Sequence, residues 1–250
     1  MSYIQYMTSP IPKLFFQTFK TDTFSEQFQL IPKTWKEKNP NYEYRFFKDS
    51  DCDAFMKANF DARTYNAYKK IIPGAYKADM WRYAVLYVYG GVYADLDTIC
   101  LNPIDDFLTP EIEFMTIIDM NTGKEKYTLF NTFIASVPKF KPLLDCINQI
   151  VYNIENNIVP AYKVDFCGPG LFGRKINQYM GLPEEASYVG KQGLHKNIYF
   201  LGFEPTTEYI KDTQGKILLQ NKTGNPLIQH LYKLECQKAN IVSWLTSRPF

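Results

Sequence analysis

Residues 78–97 read "ADMWRYAVLYVYGGVYADLD". Up to Tyr89 the apolar side chains Ala78, Trp81, Ala84, Val85 and Val88 recur at the spacing of one helical face. Pro73 marks a helix start and Gly90 and Gly91 a stop. Beyond the glycines, "VYADLD" alternates, so a strand places Val92, Ala94 and Leu96 on one face and Tyr93, Asp95 and Asp97 on the other. The reading is helix, sharp stop, strand, with two carboxylates at the strand end facing the same way.

Working outward, "KLFFQTF" (13–19) and "YEYRFFKD" (42–49) read as strands, with a helix from Ser25 to Lys38 broken at Pro32 between them. The stretch from Asp51 to Tyr68 reads as helix-like, with further strands expected at 114–119 and 128–136 and a helix over "PLLDCINQIVYNI". Strands alternating with helices predict an α/β fold, a doubly wound, Rossmann-like mixed sheet that is mainly parallel and flanked by helices. Such sheets bind ligands beyond the carboxyl ends of their strands, where Asp95 and Asp97 lie. With 250 residues, 46% hydrophobic, the chain is expected to form a single domain over 1–250.

A formal charge of +2, from 28 basic and 26 acidic residues spread along the chain, argues against a nucleic-acid partner. The longest nearly apolar run, 83–94, is too short for a membrane span, and "MSYIQYMTSPIPK" lacks the pattern of a signal peptide. The expectation is a soluble or cytoplasmic chain. Its five cysteines (52, 100, 146, 167 and 236) are widely spaced and form no C-x-x-C, so buried reduced thiols are expected rather than disulfides or zinc.

Two carboxylates side by side repel, and burial penalises both, so the pair needs a cation. A hard divalent ion, Mn²⁺ or Mg²⁺, takes one or two carboxylates and fills its shell with water and phosphate oxygens, which implies a metal diphosphate as ligand. A solvated strand end is the plain alternative for an isolated D-x-D. "DLDT" also fits the D-x-D-x-T pattern of haloacid-dehalogenase-type phosphohydrolases, with Asp95 attacking and Asp97 as acid, although no downstream acidic loop accompanies it.

The stretch 78–97 resembles the core of glycosyltransferase family 32 and the related glucosylating bacterial toxins. Asp79, Arg82, Gly90, Gly91, Tyr93, Asp95 and Asp97 fall on the family's pattern. "IPKLFFQTF" is similar to its first strand, with Phe16 and Phe19 replacing the usual His and Trp, and "NPNYEYRFFKD" to its second, with Lys48 where Trp is common. "NTFIASVPKFKP", "CGPG" and the terminal Ser-Trp of "NIVSWLTSR" also find counterparts.

The resemblance implies a GT-A fold and a retaining hexosyltransferase that uses Mn²⁺ or Mg²⁺ and a UDP- or GDP-linked sugar. The acceptor would be a glycan, lipid or protein. It assigns the metal to Asp97, puts Asp95 between the metal and the ribose or sugar hydroxyls, and gives the donor sugar to Asp79 and Arg82. Asp79 and Arg82 are also i,i+3 neighbours, which places an acceptor and a guanidinium fork on one helix face. Phe16, Gln17 and Thr18 would line the nucleoside pocket, with Tyr93 nearby. The tail would close over the diphosphate through Ser243 and Trp244. Lys238, Ala239 and Asn240 stand where the family often has a His, so Asn240 and Ser243 are candidates to complete the metal or phosphate shell, with His195 and His230 as others. A non-catalytic nucleotide-sugar-binding module is the alternative from another class.

Overall fold

A computed structural model describes residues 9–119, 126–243 and 245–250. The first strand, β1 (Leu14–Phe19), is followed by α1 (Glu26–Lys38) and β2 (Glu43–Lys48). Pro32 does not break α1. Its buried face of Phe28, Ile31, Pro32 and Trp35 is held by packing, with Trp35 stacked on Phe15 at 5.0 Å, and this outweighs the lost backbone donor. The helix-like region forms two helices, α2 (Asp49–Asn59) and α3 (Ala62–Lys70). Asp61 restarts the chain as an N-cap, its Oδ1 accepting from the Thr64 N–H at 2.8 Å.

Helix α4 (Gly74–Tyr89) is sharply ended, and β3 (Gly91–Ala94) begins one residue later. Both glycines are required. Gly90 and Gly91 have φ of 65° and 96°, and an added Cβ would lie 2.7 Å from Pro138 in one case and 2.7 Å from the Leu14 carbonyl in the other. The chain continues through β4 (Thr98–Cys100), β5 (Phe114–Ile118), β6 (Leu129–Ser136), α5 (Lys141–Glu155) and α6 (Pro169–Met180). It then runs through β7 (Gly193–His195), β8 (Ile198–Glu204), β9 (Tyr209–Lys211), β10 (Ile217–Asn221) and α7 (Pro226–Lys238).

The strands form one mixed sheet in the order β2-β1-β3-β6-β5-β8-β9-β10-β4, with β7 added against β8. Parallel pairing is narrower than the helix–strand alternation suggested: β1 pairs in parallel with β2 and β3, and β5 with β8, while the remaining pairs are antiparallel. The second half of the chain supplies hairpins where the α/β pattern runs out. Strand β4 ends the order opposite β2, yet only Asp95–Asp97 separate it from β3. Three residues span about 10 Å, so the sheet must curl until β10 and β4 lie beside the end of β3. That curl builds the site.

Helices α2 to α6 cover one face, around Trp81, Tyr83, Phe114 and Phe172. Trp35 of α1 packs on the other with Phe15, Met115 and Phe133. A smaller cluster of Phe19, Phe28, Ile31, Leu96 and Ile228 fastens the Asp95–Asp97 segment to α1 and α7. The five cysteines are unpaired. Among the described residues no helix is long and apolar enough to cross a membrane.

Candidate active site

The strand stops at Ala94, so the two carboxylates are set by a turn and not by strand alternation. Asp95 prolongs the ladder by one bond, its N–H donating to the Thr132 carbonyl at 2.8 Å. Its own carbonyl then accepts from the Thr98 hydroxyl at 2.7 Å and the Thr98 N–H at 3.3 Å, which closes the turn. Leu96 is buried in the cluster with α1 and α7, and Asp95 and Asp97 both line a cavity of about 650 Å³.

Both oxygens of Asp95 are engaged. Oδ1 accepts from the Tyr93 hydroxyl at 2.7 Å and lies 3.2 Å from Arg82 Nη1, while Oδ2 accepts from the Thr132 hydroxyl at 2.9 Å. Asp97 is 2% exposed. Its Oδ2 accepts from the Lys222 ammonium, and its Oδ1 is buried with no hydrogen-bond partner among the described residues. Burial pushes the Asp97 carboxyl up and Lys222 pulls it back. The cations that sequence reasoning could not find for this pair are therefore Arg82 and Lys222.

Arg82 is buried and fully occupied. It meets Asp79 at 3.3 Å and Asp95 at 3.2 Å, donates to the Asn131 carbonyl at 2.5 Å and the Ala78 carbonyl at 3.3 Å, and lies 4.6 Å from the Tyr93 ring centre. It lines the cavity beside Asp79 and Asp95, with its guanidinium held by these partners. Asp79 accepts from Asn131 Nδ2 at 2.9 Å and the Cys167 thiol at 3.2 Å, and burial raises its carboxyl to about 6 against the pull of Arg82. Asp79 also lines the cavity, together with Asn131, Gly168 and Pro169.

The remaining candidates separate. Thr18 lines the cavity, and its hydroxyl donates to the Phe47 carbonyl at 2.7 Å. Gln17 is buried and accepts from the Tyr44 hydroxyl at 3.2 Å while donating to the Asp95 carbonyl at 3.3 Å, so it props the turn. Phe16 is wholly buried between Phe47 and Tyr89 and is not part of the cavity wall, because β1 turns it toward the helical core. Phe16→Ala is accordingly expected to cost about 3–5 kcal/mol of stability in a denaturant melt. Nucleotide affinity of the folded protein, read by calorimetry, should be unchanged; a selective loss of affinity would restore a stacking role.

Asn240 follows α7 with φ of 48°. Its N–H donates to the Gln237 carbonyl and that of Ile241 to Cys236, both at 3.0 Å, a Schellman stop in which Asn tolerates the left-handed position. Asn240 is outside the cavity wall, which includes Ser243. Trp244 lies outside the described residues. The tail beyond it is seated on the domain: the Pro249 carbonyl accepts from the Ile72 N–H at 3.0 Å, and Phe250 packs on Phe166. His195 and His230 are not in the cavity wall.

Sequence reasoning missed Phe19, Trp81, Asn131, Lys222 and Tyr232, all of which line the cavity. Of these, Phe19, Trp81 and Asn131 lie in stretches the sequence singled out, whereas Lys222 and Tyr232 carried no sequence signal.

Comparison with known proteins finds similarity in sequence and in fold. Residues 25–140 match the family model described as a glycosyltransferase sugar-binding region containing a DXD motif. An initiation-specific α-1,6-mannosyltransferase of Candida albicans is 32% identical over 108 residues, covering 41% of this chain and 28% of the relative. An uncharacterised glycosyltransferase of Acanthamoeba polyphaga mimivirus is 29% identical over 164 residues, covering 64% of this chain and 63% of that one. The matched part spans from about a quarter to about a half of the length of the fungal relatives. Among solved structures, the PaToxG glycosyltransferase superposes with a TM-score of 0.55 at 16% identity, covering 71% of this chain and 72% of that chain, which shows a shared GT-A-type fold.

Proposed function

We propose that this chain, whose residues 25–140 match the family model described as a glycosyltransferase sugar-binding region containing a DXD motif, is a metal-dependent, retaining hexosyltransferase. Its donor is a UDP- or GDP-linked sugar, and its acceptor a hydroxyl of a glycan, lipid or protein. Mannose is the first sugar to test, since several relatives are named mannosyltransferases.

The observation that carries this reading is the buried Oδ1 of Asp97, without a partner among the described residues, at a cavity that Asp95 also lines. A buried carboxylate oxygen without a donor is costly unless a cation meets it. Among the described residues no three His, Cys, Asp or Glu side chains gather into a metal cage. Mn²⁺ and Mg²⁺ need none, because one or two carboxylates suffice when phosphates and water fill the shell. Asp97 would hold the ion directly and Asp95 would stand behind it. When bound, the ion supplies positive charge to the departing diphosphate.

The chain's own residues do the rest. Asp79 and Asn131, fixed against Arg82, would orient sugar hydroxyls; Thr18 and Tyr93 would face the nucleoside end, and Ser243 the phosphates. The phosphohydrolase alternative is disfavoured because Asp95, its required nucleophile, has both oxygens tied to Tyr93, Arg82 and Thr132.

Calorimetric titration of UDP and GDP with and without Mn²⁺ tests the reading. One nucleotide should bind at least about tenfold more weakly in EDTA, 1.4 kcal/mol. Asp97→Ala should bind it with no response to Mn²⁺. Equal affinities with and without metal would reject the assignment.

A further inference from the structure

Lys222 is placed by sheet register. Strands β10 and β4 pair antiparallel with Asn221 opposite Thr98, so the next residue on each side, Lys222 and Asp97, meet across the end of the ladder. The ammonium holds Asp97 Oδ2 and lies 4.2 Å from the ring centre of Tyr232, another residue of the cavity wall. The two partners differ in exposure, with the Lys222 side chain 29% exposed and that of Asp97 3%. The carboxylate is fixed in the wall; the lysine reaches it from the cavity side.

Arg82 cannot turn to a ligand without abandoning Asp79, Asp95 and the Asn131 carbonyl. Lysine differs: its ammonium is a point charge on a flexible four-carbon stem and can exchange one anionic partner for another.

We infer that Lys222 is a resident cation that competes with a divalent ion for Asp97 and, once displaced, binds the diphosphate of the donor. The inference rests on the proposed metal and donor site and adds to it a coupling. With no nucleotide present, the ion must evict an ammonium that gains no new anion, so metal alone binds weakly. With a nucleoside diphosphate present, the released ammonium finds phosphate oxygens, so metal and nucleotide each strengthen the other. Such coupling is reciprocal in binding free energy. The Tyr232 ring face gives the ammonium a second contact within the cavity, consistent with a charge that changes partners without leaving.

The test uses the full chain, with free Mn²⁺ followed by electron paramagnetic resonance and UDP and GDP binding by calorimetry, for wild type, Lys222→Met and Lys222→Gln. Thermal melts establish that each variant is folded, and the glutamine variant serves if the methionine one is not. Removing the ammonium should tighten binding of Mn²⁺ alone about tenfold and weaken the nucleoside diphosphate in saturating Mn²⁺ by a similar factor, erasing most of the coupling. A folded variant with unchanged or weaker Mn²⁺ binding, or with wild-type coupling, would overturn the role of Lys222 while leaving the donor site standing. Absence of both Mn²⁺ and nucleotide binding in the wild type would overturn the donor site and this inference together.

Discussion

Arg82→Ala is expected to destabilise the protein by about 3–5 kcal/mol, the cost of leaving buried charge without its partner, and to abolish donor turnover. The guanidinium meets Asp79 and Asp95 and ties both to the Asn131 carbonyl of β6, so its removal strands two acidic groups at once. Arg82→Lys should recover only part of the stability, because one ammonium cannot span partners that the planar fork reaches together. Urea denaturation gives the first quantity and nucleotide release the second. A lysine variant with near wild-type stability and turnover would mean that Arg82 contributes charge alone. In that case its geometry does not set the site.

Asp79 is expected to make stability fall as pH rises. Burial raises its carboxyl from the ordinary 3.8 to about 6. Between those values the folded protein binds a proton that the unfolded chain releases, so the folded state is favoured at the acid end and loses that advantage as pH rises through about 6. The span corresponds to about 3 kcal/mol. Asp79→Asn carries no such proton, so the stability of wild type relative to the variant should decline by about that amount from pH 4 to pH 7. Denaturant melts across this range provide the comparison, and parallel curves would contradict it. The ionised carboxylate is also the form that accepts from sugar hydroxyls. Donor-sugar affinity should therefore weaken below about pH 6 in the wild type while affinity for the bare nucleoside diphosphate changes less.

Much of the frame was legible because it is local. Helical spacing from Ala78 to Val88, the two glycines and the short strand after them are all written within one continuous stretch, and the i,i+3 placement of Asp79 and Arg82 follows from the helix alone. The cavity wall is different. Lys222 reaches Asp97 across 125 residues, through a register that exists only once β10 and β4 are paired. Thr132 reaches Asp95, and Asn131 reaches Asp79, because β6 lies beside β3, a neighbour relation that no periodicity records. The same limit misplaced Phe16: alternation along β1 assigns its face relative to Phe15, but not which face meets the cavity. Asn240 illustrates a residue whose local role, ending α7 in the left-handed region, accounts for it without a ligand.

The charge economy of the site also appears only in three dimensions. In sequence, Asp95 and Asp97 look uncompensated; in the fold, Arg82 neutralises the first and Lys222 the second, and one oxygen of Asp97 still faces no donor among the described residues. Two fixed or resident cations and one buried carboxylate oxygen left without a donor suit a site that must be stable when empty and still accept a divalent ion with a diphosphate.

The most direct measurement is release of free nucleotide when the protein is incubated with GDP-mannose, UDP-glucose, UDP-galactose and UDP-N-acetylglucosamine in Mn²⁺, each repeated in EDTA. The account predicts that one donor is hydrolysed slowly to its nucleoside diphosphate, that the reaction stops in EDTA, and that Asp97→Ala is inactive under both conditions. Release of inorganic phosphate from a phosphomonoester, with every nucleotide sugar left intact, would contradict it.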